Sequence, residues 1–229
     1  MSETRTDSPG AARRQSVRAF KKSVILDAAQ RTLDRDGIEG ATMRAIAKEA
    51  GYTPGALYAY YPNKDDVLAG LLCRSLGRVS RTIRHAMKKR GRGPADPVEL
   101  ASLLSAHYRR ETGEFDLLLT VLQSRRINHL SPGMARTLNG RLIAALSPIA
   151  EALGAAGRWK ARPAGEATTQ AAGLALGILL LENSGRLSAL EMDGVSLTAG
   201  GFATLLSREP PSTSSKAGGA ATGDIGAMK

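Results

Sequence analysis

Residues 42 to 64 concentrate the side chains whose types and spacing could do chemistry: Thr42, Arg44, Tyr52, Thr53, Tyr58, Tyr60 and Lys64. These are hydroxyl, guanidinium and ammonium groups, suited to holding phosphates and to reading base edges rather than to breaking bonds. An arginine such as Arg44 pairs bidentately with O6 and N7 of guanine. Gly55 and Ala56 carry so little side chain that backbone can approach bases closely, and an alanine methyl can meet a thymine methyl. Tyr52, Thr53 and Pro54 complete the leading end of that segment, and Ala59 lies between two of its tyrosines.

The same stretch reads as two very short helices. Thr42 caps the first, whose apolar side is Met43, Ile46, Ala47 and Ala50, and Gly51 ends it with a left-handed backbone. Thr53 before Pro54 is an N-cap followed by proline at the first helical position. The second helix runs from Pro54 to about Tyr60, where Pro62 stops it, and Asn63 caps the next element. Helices of this length are marginal in water, because nucleation is costly below roughly 12–15 residues. They therefore need a platform. A helix from about Ser16 to Asp36, ended by Gly37, supplies one, and the result is a helix-turn-helix whose second helix enters a major groove.

Charge agrees with that reading. Residues 1–90 hold 18 Lys and Arg against 9 Asp and Glu, a net +9, whereas residues 91–229 hold 14 against 12, a net +2. A basic N-terminal third beside a near-neutral remainder points to a polyanion-binding module attached to a second unit. Enzyme chemistry finds no support: the chain has no Gly-rich phosphate loop, no G-x-S-x-G elbow and no H-E-x-x-H, and its three histidines are scattered. The single Cys73 excludes an internal disulfide and no zinc pattern occurs, so no metal or cofactor is expected. The longest apolar run, Ala171 to Leu181, is short of the ~20 residues that span a bilayer, and no signal peptide is evident. The expected compartment is the cytoplasm.

The stretch resembles the DNA-reading signature of the TetR family of bacterial regulators, through Thr42, Ile46, Ala47, Ala50-Gly51, Thr53, Gly55, Leu57-Tyr58, Tyr60-Tyr61, Lys64 and Leu68. The match covers about residues 20 to 72, and Tyr61 departs from the phenylalanine commonest there. The resemblance implies an all-α fold of about nine helices, with a three-helix DNA-binding domain followed by a ligand-binding and dimerisation domain. It also implies that Tyr58, Tyr60 and Lys64 touch the phosphate backbone and that Thr42 anchors the first short helix on it. Leu57 and Tyr61 read as core, and Lys48 as a solvated charge.

Expected boundaries are a disordered basic arm at 1–15, the helix-turn-helix domain at 16–63, a connecting helix at 64–90, the second domain at 91–208 and a disordered tail at 209–229. Arg13, Arg14 and Arg18 of the arm are candidates for minor-groove contacts. On the connecting helix Arg74, Arg78, Arg81, Arg84 and Lys88 form a stripe with no acidic neighbours at helical spacing, which reads as a solvated face. Further helices are expected at about 97–112, 114–128, 132–153 (with Pro148 inside), 164–187 and 196–207, with Trp159 in a loop. In the family the last two long helices of each subunit build a four-helix homodimer interface, and Gly173 and Gly177 would admit a close neighbour. The body is implied to house a largely apolar pocket for a small effector, with His107, Phe115, Leu119, Leu122, Met134, Leu138, Leu142 and Asn183 as candidate lining. Together these features describe a ligand-responsive repressor that binds a palindromic double-stranded operator. The alternative is a ligand-independent or architectural DNA-binding protein.

Overall fold

The computed structural model describes residues 9–89, 95–123, 128–155 and 161–207. Ten helices and no strands occur among them: α1 (Pro9–Gly40), α2 (Met43–Ala50), α3 (Pro54–Tyr58), α4 (Lys64–Lys89), α5 (Pro97–Arg110), α6 (Thr112–Leu122), α7 (Pro132–Ala155), α8 (Ala161–Asn183), α9 (Arg186–Ala189) and α10 (Gly194–Ser207). The first three helices and the start of α4 form a small head, and α4 to α10 form the body. Trp159 and the tail at 209–229 lie outside the described residues.

The head follows its local signals. Thr42 accepts a hydrogen bond from Ala45 N, and Thr53 accepts one from Ala56 N, with Pro54 at the first helical position. Gly51 is left-handed at φ 71°, and the amide of Tyr52 donates to the Ala47 carbonyl at 2.9 Å, which closes α2. Gly37, at φ 69°, breaks the helical path of α1 where the sequence places the end of that helix. Two boundaries differ. The helix of α1 begins at Pro9 rather than Ser16, so the described part of the arm is helical, not disordered. Its Ala11-Ala12-Arg13-Arg14-Gln15 run is composed of strong helix formers, and proline suits a first turn. Helix α3 ends at Tyr58, and a turn carries Ala59 and Tyr60.

Helix α4 joins the halves. Asn63 caps it by accepting from Asp66 N at 2.7 Å, and Asp65 and Asp66 sit in its first turn, where the dipole favours them. Its apolar residues are buried on more than one side, and a single continuous core runs from Ile25 and Leu57 in the head through Leu68, Leu72 and Leu76 to Leu138, Leu179 and Phe202 in the body. Helix α7 is its main neighbour in the body. Within α7, Pro148 lacks an amide proton and so leaves the Ala144 carbonyl without its helical donor. The Ser80 hydroxyl of α4 donates to that carbonyl at 2.8 Å. The exception in one helix is thus answered by the other.

In the body, Arg109 of α5 donates to Glu182 of α8 at 2.8 Å and to the Gly194 carbonyl and Thr198 of α10. Helices α8 and α10 pack so closely that a Cβ on Gly201 would lie 2.3 Å from Leu174. The span Pro163–Asn183 is long and apolar enough to cross a bilayer by length and composition, contrary to the expectation from its uninterrupted apolar run. Alanine, glycine and threonine extend that run on its N-terminal side, with Glu166 as the one charge before Glu182. Here α8 packs against α5, α7 and α10.

A polar knot lies between α4, α5 and α6. Glu114 accepts from Ser75 at 2.5 Å, pairs with His107 Nε2 at 2.7 Å and forms an ion pair with Arg78. Burial alone would raise the Glu114 carboxyl, but hydrogen bonds from His107, Ser75 and Arg78 outweigh it and hold the group at about 2. A depressed folded-state value stabilises the protein above the unfolded carboxylate range, and this contribution is lost as pH falls from about 4.5 towards 2. Urea unfolding at a series of pH values should therefore show a steeper acid loss for the wild type than for Glu114→Gln, with the two curves converging near pH 2.

Candidate functional site

The face of the head formed by α2 and α3 gathers the candidate residues. Thr42, Arg44, Thr53, Pro54, Gly55, Tyr58 and Ala59 are exposed, and Tyr52, Ala56 and Tyr60 are half-buried. Leu57 and Tyr61, at 0% and 3% exposure, belong to the core. The three tyrosines around the recognition helix therefore divide by role. Tyr58 stands free at 51% exposure. Tyr60 packs edge-on to Tyr52, with ring centroids 6.3 Å apart, and beneath the Arg18 guanidinium at 5.4 Å. Burial pushes the Tyr61 hydroxyl up to about 12.

Two basic residues are held by backbone. Arg18 donates to the Ala59 carbonyl at 3.1 Å, which ties the N-terminal helix to the end of α3. Lys64 donates to the Ile38 carbonyl at 2.5 Å, so it ties the foot of α4 to the last turn of α1, beyond the break at Gly37, and is only half exposed. Sequence reasoning missed both bonds, because neither partner carbonyl has a sequence signal. Arg13 and Arg14 lie on the exposed N-terminal part of α1 and share a surface hollow with Arg18 and Tyr60. Arg44 has no ion pair among the described residues, whereas the neighbouring Glu49 is occupied by Arg31 and Arg35.

The body contains a second candidate site, an apolar cavity of about 120 Å³ walled by α4 to α8. Leu76, Leu104, Tyr108, Leu142, Ala172 and Leu179 are among its lining residues. Of the sequence candidates, Leu122 and Leu142 line it. Phe115 and Leu138 are fully buried elsewhere in the core, and Leu119 packs against that core. Met134 faces a different hollow, beside α1 and α4. His107 is taken up by Glu114, and Asn183 is exposed at the end of α8. The last two therefore do not face the cavity. Helical periodicity marks a buried face but not which neighbour that face meets.

Tyr108 of α5 lines the cavity although it is not among the sequence candidates. Its ring packs against Phe115 and His107. Its hydroxyl is buried near Ser75 but lacks hydrogen-bond geometry to any partner. Burial pushes it up to about 12, so it remains a neutral donor. Among the described residues no cluster of His, Cys, Asp and Glu could hold a metal ion.

The caps can be checked directly. Thr53→Ala removes the acceptor for Ala56 N and should cost about 1 kcal/mol, read as a lower urea midpoint with unchanged helical signal.

Comparison with known proteins agrees with this architecture. The family profile described as bacterial regulatory proteins, tetR family, matches residues 25–71. The fatty acid metabolism regulator protein of Bacillus subtilis is 28% identical over 127 residues, an alignment that covers 52% of this chain and 64% of that protein. The transcriptional repressor KstR of Rhodococcus jostii is 31% identical over 46% of each chain. The crystal structure of Thermus thermophilus FadR, a TetR-family repressor in complex with lauroyl-CoA, superposes with a TM-score of 0.59 at 22% identity, covering 87% of this chain and all of that one. Residues 25–71 thus match the tetR family of bacterial regulatory proteins, and the body beyond them has the fold of the solved regulator on which it superposes.

Proposed function

We propose that the protein is a homodimeric repressor that binds a palindromic operator and is released when a long apolar effector, of the fatty acyl-CoA class, enters the cavity beside α4. The observation that carries this reading is the position of that cavity. Leu76, which lines it, lies on the helix whose first turns belong to the head. At about 120 Å³ the cavity is well below the ~300–1,000 Å³ usual for ligand pockets. An acyl chain can enter only by moving α4 away from α7 and α8. Such an effector prefers the displaced state and shifts the equilibrium by its differential affinity. The Tyr108 hydroxyl, a buried donor in an otherwise apolar wall, suits a thioester carbonyl. The lauroyl-CoA complex of the Thermus relative supports this effector class.

On the DNA side, Arg44 and the leading end of α3 (Tyr52 to Ala56) are assigned to base edges. Thr42, Tyr58, Tyr60 and Lys64 are assigned to phosphates, and Ala59 lies at the rim. The outward faces of α8 and α10 suit a dimer. A Cβ at Gly173 or Gly177 would meet no other part of the described residues within 4 Å, and Leu180, Leu181, Val195 and Leu197 are exposed. Helix α10 carries no charged residue. A two-fold pair of such faces would bury this patch and set the spacing of the two heads.

Four variants and one effector titration test the reading. After selection of bound fragments from random DNA, Tyr58→Ala should weaken operator binding about tenfold at unchanged melting temperature. Lys64→Ala should do the same while also lowering the melting temperature, because Lys64 holds the Ile38 carbonyl. Arg44→Ala should relax base preference at one position, about 1–3 kcal/mol of discrimination. Lauroyl-CoA should release the operator in a gel-shift titration, and Tyr108→Phe should require about fivefold more of it, consistent with one hydrogen bond of ~1 kcal/mol. A ligand-independent regulator is the second reading, favoured by the small volume of the cavity. It would bind the operator equally at every acyl-CoA chain length.

A further inference from the structure

A second hollow, of about 510 Å³, opens between α1, α4 and α7, separate from the apolar cavity. Five cations line it: Lys22 from α1, Arg74, Arg78 and Arg81 from α4, and Arg141 from α7. No carboxylate is among its lining residues. Two of the five are neutralised from outside the hollow, Arg74 by Asp27 at 2.7 Å and Arg78 by Glu114. Among the described residues Lys22, Arg81 and Arg141 have no ion pair, although Lys22 lies over the Tyr61 ring at 5.2 Å. The other ionisable groups in the wall add no negative charge, because burial pushes Cys73 up to about 11 and Tyr61 to about 12.

The geometry over Gly77 is the telling feature. A Cβ at this buried glycine would lie 3.5 Å from Arg81 Nη1 and 3.9 Å from Arg141 Nη1. Two guanidinium groups from different helices therefore converge over a floor without a side chain, with no counter-charge between them. Like charges at that range repel, and a bound anion reverses the sign. Guanidinium forks match phosphate oxygens in geometry as well as charge. The volume is within the range of small-molecule pockets, so the groove has room for a diphosphate together with the organic group that bears it.

We infer that the groove between α1, α4 and α7 is a binding site for a diphosphate-bearing small molecule, held chiefly by Arg81 and Arg141 with Lys22 at its edge. Seated there, the anion bridges the first helix of the head to the body across α4. The stripe of arginines on α4 is then more than a solvated face. The diphosphate belongs either to a free small molecule or to the head group of a larger effector. The site itself does not depend on the repressor reading, because its test needs neither an operator nor release from one.

Isothermal titration of the full chain with inorganic pyrophosphate, against sulfate at matched ionic strength, tests the site. Pyrophosphate should bind at least tenfold more tightly than sulfate, and Arg81→Ala with Arg141→Ala should lose at least tenfold. Arg141→Glu should abolish binding and raise the melting temperature, since the carboxylate would face Arg81. That separates loss of the site from loss of fold. Arg84→Ala, which removes a cation paired with Glu151 outside the groove, should bind like the wild type. A parallel titration with coenzyme A identifies the source: sensitivity to the same two arginines marks a head group, and insensitivity marks a free diphosphate. Equal affinity for sulfate and pyrophosphate, unchanged binding by the double variant, or displacement of pyrophosphate by non-operator duplex would each overturn the assignment.

Discussion

The structure depends on one helix having to be buried by two partners at once. Leu68, Leu72 and Leu76 of α4 belong to a core that includes Ile25, Ile46 and Leu57 of the head and Leu138, Leu179 and Phe202 of the body. Neither half can close its own core without α4. The two short helices of the head, too short to persist alone, are therefore stabilised by a helix that the body also holds. Any movement of α4 relative to α7 is felt in the head, because close-packed interiors deform little.

Polar contacts fix where along α4 that coupling acts. At the head end, Asp66 accepts from the Ser131 amide at 2.8 Å and hydroxyl at 2.5 Å, and Asn63 donates to the His129 carbonyl at 3.1 Å. Further on, Ser80 satisfies the carbonyl freed by Pro148, and Arg84 donates to Ser147 at 3.2 Å. Between these attachments α4 makes no hydrogen bond to α7 among the described residues; Arg74 is tied instead to α1, and Ser75 and Arg78 to Glu114 of α6, while the apolar cavity opens beside Leu76. The middle of α4 is thus fastened to α1 and α6 but not to α7, and a wedge inserted at Leu76 acts between the two attachments to α7 and the segment before it.

How much of this was legible in the sequence follows from how local each signal is. The caps at Thr42, Gly51, Thr53 and Asn63 involve groups within a few residues, so residue type and spacing were enough to place α2, α3 and the start of α4. Gly185, at φ 71°, ends the turn after α8 within the 164–187 segment that its apolar pattern reads as one helix. Ion partners were not legible either. The arginine stripe of α4 has no acidic neighbour on its own helix, yet Asp27, Glu114 and Glu151 reach it from α1, α6 and α7. His107 and Asn183 show the same limit from the other side. Each is polar on a largely apolar helix, but one is satisfied by Glu114 and the other projects outward, an outcome set by tertiary packing. Leu122 and Leu142 meet at the cavity because α6 and α7 converge there, which one helix's pattern does not contain.

The magnitudes bear on which effectors are able to work such a device. Moving a two-state equilibrium from 1:99 to 99:1 requires about 5.5 kcal/mol of differential affinity. Each hydrogen bond broken along α4 subtracts roughly 0.5–1.5 kcal/mol, and Asp66, Asn63, Ser80 and Arg84 all contribute such bonds to α7 or the segment before it. Burying a methylene returns about 0.8 kcal/mol. Seven methylenes balance the population shift alone, on the order of 5.6 kcal/mol, and several more are needed if even two of those bonds break. A short apolar molecule would fill the existing 120 Å³ and leave α4 where it is. A chain of ten or more carbons, on the order of 8 kcal/mol by the same coefficient, exceeds the requirement. For the proposed effector class, chain length rather than any particular polar contact is then the variable that decides whether α4 is displaced.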